Sequence, residues 1–149
     1  MLKLSKKVEY ALIALKHMSE LRGDDLASAR EIAEQYHVPY DILGKVMQSL
    51  NRADLVESIQ GARGGYRLRL PLSEVTLGQV IEAIDGPVQV VPCAGDHYSC
   101  RQESSCNIKK PINQLQSQLQ TFVFSLTLDT LHGSTQDLPF HFSTVDTMT

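Results

Sequence analysis

Three cysteines, Cys93, Cys100 and Cys106, fall within one 14-residue stretch and are the only thiols of the 149-residue chain. Thiolates are soft donors suited to zinc, copper or iron–sulfur groups, and reactive thiols also serve as redox sensors. Spacing separates these uses. Structural zinc sites draw on closely paired ligands, C-x(2–4)-C, and thioredoxin-like chemistry needs C-x-x-C. Neither pair is present, because the thiols are separated by six and five residues. Three thiols so far apart can wrap a larger object, and an iron–sulfur cluster is the natural candidate. The plain alternative is three unconnected thiols. His97, in the same loop, is a further possible donor.

The elements on either side of this loop, about 87–106, must position it. A hydrophobic content of 42% supports a folded core. No run approaches the ~20 apolar residues of a membrane span. Reduced, clustered thiols then place the protein in the cytoplasm. Helical apolar spacing runs from Ser5 to Leu21 and ends at Gly23-Asp24-Asp25. Ser28-Ala29-Arg30-Glu31 reads as a capping box that starts a second helix. Pro39 opens a third, at about 39–53, with Ile42, Leu43, Val46, Met47, Leu50 and Ala53 on one face and Asp41, Lys45, Gln48 and Arg52 on the other. Gly44 sits on the polar side. Leu55–Ile59 and Tyr66–Leu70 read as strands joined through Gly61-Ala62-Arg63-Gly64-Gly65. Thr76-Leu77-Gly78-Gln79 caps a fourth helix, which stops at Gly86-Pro87.

Three helices followed by a hairpin are the order of a winged helix-turn-helix. The predicted fold is therefore mainly α with a small β-hairpin wing, plus a long dimerisation helix. Its divisions are 1–86 for the DNA-binding domain, 87–106 for the cysteine loop, 107–132 for the dimer helix and 133–149 for a flexible tail. The dimer seam is Ile108, Ile112, Leu115, Leu119, Phe122 and Leu126, spaced 4, 3, 4, 3, 4 like heptad a and d positions. The glutamines between them make a polar face. Phe140 and Phe142 are the aromatic residues of the tail that could dock onto the folded part.

Charge is divided along the chain. Residues 1–70 carry 11 Lys/Arg against 9 Asp/Glu, a net of +2, and residues 71–149 carry 3 against 8, a net of −5; the whole is −3. Phosphate binding needs local positive surface rather than a positive total. On the third helix, Pro39, Tyr40, Asp41, Lys45, Gln48 and Arg52 are candidates to face DNA, with Gln48 suited to adenine and Lys45 to guanine or phosphate. Ser28 and Arg30 suit a phosphate contact at a helix start. Arg63 at the wing tip fits a narrow minor groove.

In this order, Val8-Glu9-Tyr10-Ala11-Leu12, Gly61-Ala62-Arg63-Gly64-Gly65-Tyr66, Thr76–Pro87 and the three cysteines resemble the IscR/NsrR-type family of iron–sulfur transcription regulators. The resemblance covers about residues 1–130. It implies a homodimer on a near-palindromic operator, acting as a repressor, whose cluster state sets DNA affinity in response to cluster supply, redox or nitric oxide. In cluster-biogenesis members a histidine three positions after the third cysteine is the fourth ligand of a 2Fe–2S cluster. Here that position is Lys109, which as a cation has no lone pair to offer. In nitric-oxide-sensing members a carboxylate from the first helix of the partner completes a 4Fe–4S site, and Glu9 matches that position. The resemblance therefore favours 4Fe–4S over 2Fe–2S, with Cys93, Cys100, Cys106 and Glu9 of the partner subunit as ligands. A cluster-free regulator using its thiols directly, and an iron–sulfur electron-transfer protein, are the alternatives. Nothing in the chain pairs a nucleophile with a base, so an enzyme is not expected.

Overall fold

The computed structural model of the chain describes residues 3–94 and 99–133. Helix α1 (Lys6–Ser19) begins where the Ser5 hydroxyl accepts from the Val8 N–H, at 3.2 Å. The Ser28 hydroxyl likewise caps α2 (Ala29–Tyr36) by accepting from Glu31 N–H at 3.1 Å. The other half of the expected capping box is not made. The Glu31 carboxylate lies instead 3.9 Å from His17 Nε2. His37 closes α2 in the left-handed conformation, φ 55°. After Pro39, α3 (Tyr40–Arg52) buries Leu43, Val46, Met47 and Leu50. Ala53, expected on that face, is exposed beyond the helix end.

Strands β1 (Val56–Ile59) and β2 (Gly65–Leu68) pair antiparallel, with Glu57 opposite Arg67 and Ser58 opposite Tyr66. The glycines of the connection have different tasks. Gly61, at φ 123°, takes a backbone conformation that suits glycine. A Cβ on Gly64 would strike the Ile59 carbonyl, and one on Gly65 would lie 2.8 Å from the Ala27 carbonyl oxygen. Gly65 thus lets Ala27 lie against the hairpin, where Tyr66 N–H donates to Ala27 at 2.8 Å.

Helix α4 (Leu77–Asp85) carries the full predicted box: Gln79 N–H donates to Thr76 Oγ1 at 3.3 Å, and Thr76 N–H donates to Gln79 Oε1 at 2.8 Å. Helices α1, α3 and α4 pack together around Val8, Ala11, Leu15, Ile32, Leu43, Leu50, Val56 and Val80, all with 0% exposure.

The last long helix, α5 (Lys109–Ser125), is shorter than the sequence suggests. At ~1.5 Å per residue its 17 residues span roughly 26 Å. The chain then crosses back, Leu77 N–H donating to Leu126 and Leu128 N–H to Val75, both at 2.8 Å. A short α6 (Leu128–His132) follows, with Leu128 fully buried in the main core. The expected helix over 107–132 is therefore broken at Leu126–Thr127, because its end rejoins the winged domain. Among the described residues no helix is long and apolar enough to cross a membrane.

Candidate cysteine cavity and DNA-facing surface

Two surfaces hold the residues singled out in the sequence. On the first, the N-terminus of α3 stands beside that of α2. Tyr40 is 53% exposed, and the Arg30 guanidinium carbon lies 5.7 Å from its ring centroid, a cation–π contact. Asp41, Lys45, Gln48 and Arg52 are all exposed along the same helix. Pro39 precedes it, and the Ser28 oxygen is engaged in its cap. A Cβ on Gly44 would meet nothing, so no packing within the chain requires glycine there. On the wing, Arg67 pairs with Glu57 at 2.9 Å and Arg69 with Asp54 at 3.8 Å. Arg63 is exposed at the tip and, among the described residues, has no carboxylate partner. It is the hairpin arginine whose charge is left for an outside anion.

The second surface is the cysteine region. Cys93, Cys100 and Cys106 are free thiols, Cys93 exposed and the others half-buried. All three line one cavity of about 170 Å³. Val91, Ile108 and Ile112 supply its apolar wall, and Glu103 and Lys109 its charged one. Lys109 Nζ donates to Glu103 Oε1 at 2.8 Å. That hydrogen bond, and secondarily the charge behind it, holds the Glu103 carboxyl below its usual range and raises the Lys109 ammonium, to which Cys106 and Cys100 add a smaller increase. Lys109 is thus a firm cation at the position where a histidine ligand would stand.

A single ion needs its donors within about 2.0–2.3 Å of one point. Among the described residues no three His, Cys, Asp or Glu side chains converge in that way. The cavity is far larger than the ~10–15 Å³ that one water requires. Three thiols lining one cavity of this size are a soft donor set with room for a group of several atoms.

Sequence reasoning missed the residue that ties this cavity to the rest of the chain. Gln116 was grouped with the polar glutamines of α5, yet it is 7% exposed. Its side-chain N–H donates to Val88 O, and its Oε1 accepts from Val90 N–H at 2.7 Å. Gln120 N–H adds a contact to Val88 O at 3.3 Å. The segment running from α4 to Cys93 is thereby clamped to α5, one turn beyond cavity-lining Ile112. Below the clamp, Gly78 admits Phe124; a Cβ at 78 would lie 2.6 Å from its Cγ. A 3.6-residue repeat cannot reveal this, since Gln114, Gln116, Gln118 and Gln120 are chemically alike. His17 was missed also: it is nearly buried, with Nδ1 3.0 Å from the Tyr36 hydroxyl.

The expected seam divides. Ile108 and Leu115 are 56% and 47% exposed, and Ile112 is half-buried. Leu119 and Phe122 already pack against the smaller core of Leu77, Val88, Val123 and Leu126. Leu126 is 4% exposed within its own chain, so its assignment to a dimer surface is corrected. Glu9 is paired with Lys6 at 2.6 Å on the half-exposed side of α1. His97 and the tail beyond Gly133, with Phe140 and Phe142, lie outside the described residues.

Three helices, a two-stranded wing and a basic wing tip define a winged helix-turn-helix regulator. The comparisons agree. The model of the Rrf2 family, described as iron-dependent transcriptional regulators, matches residues 4–133, and the chain belongs to that family. A protein of Aquifex aeolicus named among HTH-type transcriptional regulators is 31% identical over 129 residues, 85% of this chain and 89% of its own. The structure of CymR, the global cysteine regulator of B. subtilis, is similar with a TM-score of 0.69 and 27% identity, covering 88% of this chain and 96% of CymR. The IscR of T. potens shares the fold, with a TM-score of 0.65 at 24% identity over 88% of this chain and 87% of its own.

Proposed function

We propose that this chain is a homodimeric repressor whose affinity for a near-palindromic operator is set by an iron–sulfur cluster on Cys93, Cys100 and Cys106. The observation that carries the reading is the meeting of all three thiols in one cavity against α5. A bound cluster would supply a group whose assembly, oxidation or nitrosylation changes its charge and its hold on the loop. The chain's own residues do the rest. Ile112 and Val91 line the cavity, Gln116 links α5 to Val88 and Val90, and Gly78–Phe124 joins α5 to α4 in the winged domain. A change in the loop would thus reach α3 and the wing through packed elements. Ser28, Arg30, Pro39, Tyr40, Asp41, Lys45, Gln48 and Arg52 would face the major groove and its phosphates, and Arg63 the minor groove. Ile108, Ile112 and Leu115, with the partly packed Leu119 and Phe122, would meet a second copy. Lys109 leaves the fourth ligand position to a carboxylate, and the resemblance offers Glu9 of the partner subunit, in keeping with a 4Fe–4S group.

The test is anaerobic reconstitution with iron and sulfide, followed by absorption and Mössbauer spectroscopy. A bound chromophore is expected in the native chain and none in the Cys93→Ala, Cys100→Ala, Cys106→Ala triple variant. A triple variant that still binds the chromophore would refute the ligand assignment. A native chain that stays colourless would favour a second reading, a direct thiol sensor. That reading draws on the exposed free Cys93 and on the likeness to CymR, whose S. aureus homologue, 26% identical to this chain, was also solved in an oxidized form.

A further inference from the structure

A carboxylate already stands in the cysteine cavity of a single chain. Glu103 N–H donates to the Cys100 carbonyl at 3.2 Å, so a tight turn holds residue 103 against the backbone of the second cysteine. Ser105 N–H donates to the Gln102 carbonyl at 3.0 Å and continues the turns toward Cys106. Between Cys100 and Cys106 the loop thus carries its one acidic side chain into the same cavity as the thiols. Of the other polar groups lining that cavity, Lys109 is a cation, and Gln102 and Asn113 offer neutral amide oxygens. Glu9, like Glu103, is paired with a lysine, but it sits on α1 and does not line this cavity within its own chain.

Resting on the cluster reading above, we infer that Glu103 is the chain's own oxygen donor to the metal group, and that Lys109 holds this carboxylate in place until the group binds. A bound metal group would be held by Glu103 in place of that carboxylate's present ion pair with Lys109. Lys109 remains beside the site as a cation that offsets the negative charge of three thiolates and a carboxylate. The site would then be complete within one subunit, with Glu103 in place of the Glu9 of the partner subunit that the resemblance offers.

The experiment compares full-length native, Glu103→Gln, Glu103→Asp, Lys109→Ala and Glu9→Gln proteins after anaerobic reconstitution. Readouts are the Mössbauer spectrum and the rate of iron loss to a chelator. Glu103 is exposed, so its variants are expected to fold, and circular dichroism checks this. Glu103→Gln should alter the spectrum of one iron and speed iron loss about tenfold or more. Glu103→Asp should restore most of the native spectrum. Lys109→Ala and Glu9→Gln should leave the spectrum native. An unchanged Glu103→Gln spectrum overturns the inference, as does the same change in Lys109→Ala, which would reduce Glu103 to an ion-pair partner. A spectrum altered by Glu9→Gln instead places the donor on α1 and also overturns it. If the native chain takes up no chromophore, the cluster reading itself has failed and this inference falls with it; native uptake with an unchanged Glu103→Gln spectrum marks the failure of the inference alone.

Discussion

The winged domain and the cysteine region are built on opposite terms. In the first, a core with many side chains at 0% exposure fixes every element, and the exposed polar residues of α3 are carried passively on that frame. In the second, the cysteines are exposed or half-buried, the described part of the loop is held by turns, the Glu103–Lys109 ion pair and the Gln116 hydrogen bonds, and Ile108 and Leu115 present apolar surface to solvent. A rigid frame that reads DNA is joined to a loosely held pocket through a few contacts. The proposed sensing would draw on that contrast, because a ligand can shift an equilibrium only where two arrangements lie close in free energy.

Substitutions should separate the two regions. The largest loss of stability is expected from Leu50→Ala in the winged core, about 2–5 kcal/mol in denaturant unfolding. An effect below ~1 kcal/mol would break the contrast from the rigid side. Gln116→Ala, which leaves Val88 O and Val90 N–H without their partner, should cost about 1–3 kcal/mol. It should also narrow the difference in DNA affinity between cluster-loaded and cluster-free protein. Loss of stability with full retention of that difference would remove Gln116 from the coupling. Leu115→Ala should leave the unfolding of a subunit within about 0.5 kcal/mol of native while weakening the dimer about fivefold or more in sedimentation equilibrium. An unaltered dimer would place the interface elsewhere. The smallest thermal effect belongs to Arg63→Ala. Its melting should be native, with DNA binding weaker and the slope of log affinity against log salt reduced by about 1. An unchanged salt dependence would mean that the wing tip makes no phosphate contact.

The same contrast decides what could be read from the sequence. The winged domain was legible because each signal there is local: Thr76 with Gln79 for a cap, Pro39 before a helix, glycines between two alternating strands. The glycines' reasons were not all legible. Gly65 is required by contact with Ala27, 38 positions earlier, which no local pattern records. The cavity was legible as a set of cysteines, but its charged wall was not, since Glu103 and Lys109 meet only after the loop folds. The heptad spacing was real, yet it described two surfaces. In its first half Ile108 and Leu115 face outward, while Ile112 is half-buried against the cysteine cavity. Its last member, Leu126, is withdrawn into the chain's own core by the return of α6, a tertiary demand that overrides periodicity.

The link between the regions is tested most directly by titrating the protein's own promoter fragment, anaerobically and at fixed salt, with cluster-loaded and cluster-free full-length dimer. Fluorescence anisotropy gives the two dissociation constants. A coupling free energy of about 1–3 kcal/mol predicts a ratio of roughly 5–150. Equal affinities, with the cluster verified by absorption in the same cuvette, would contradict the account.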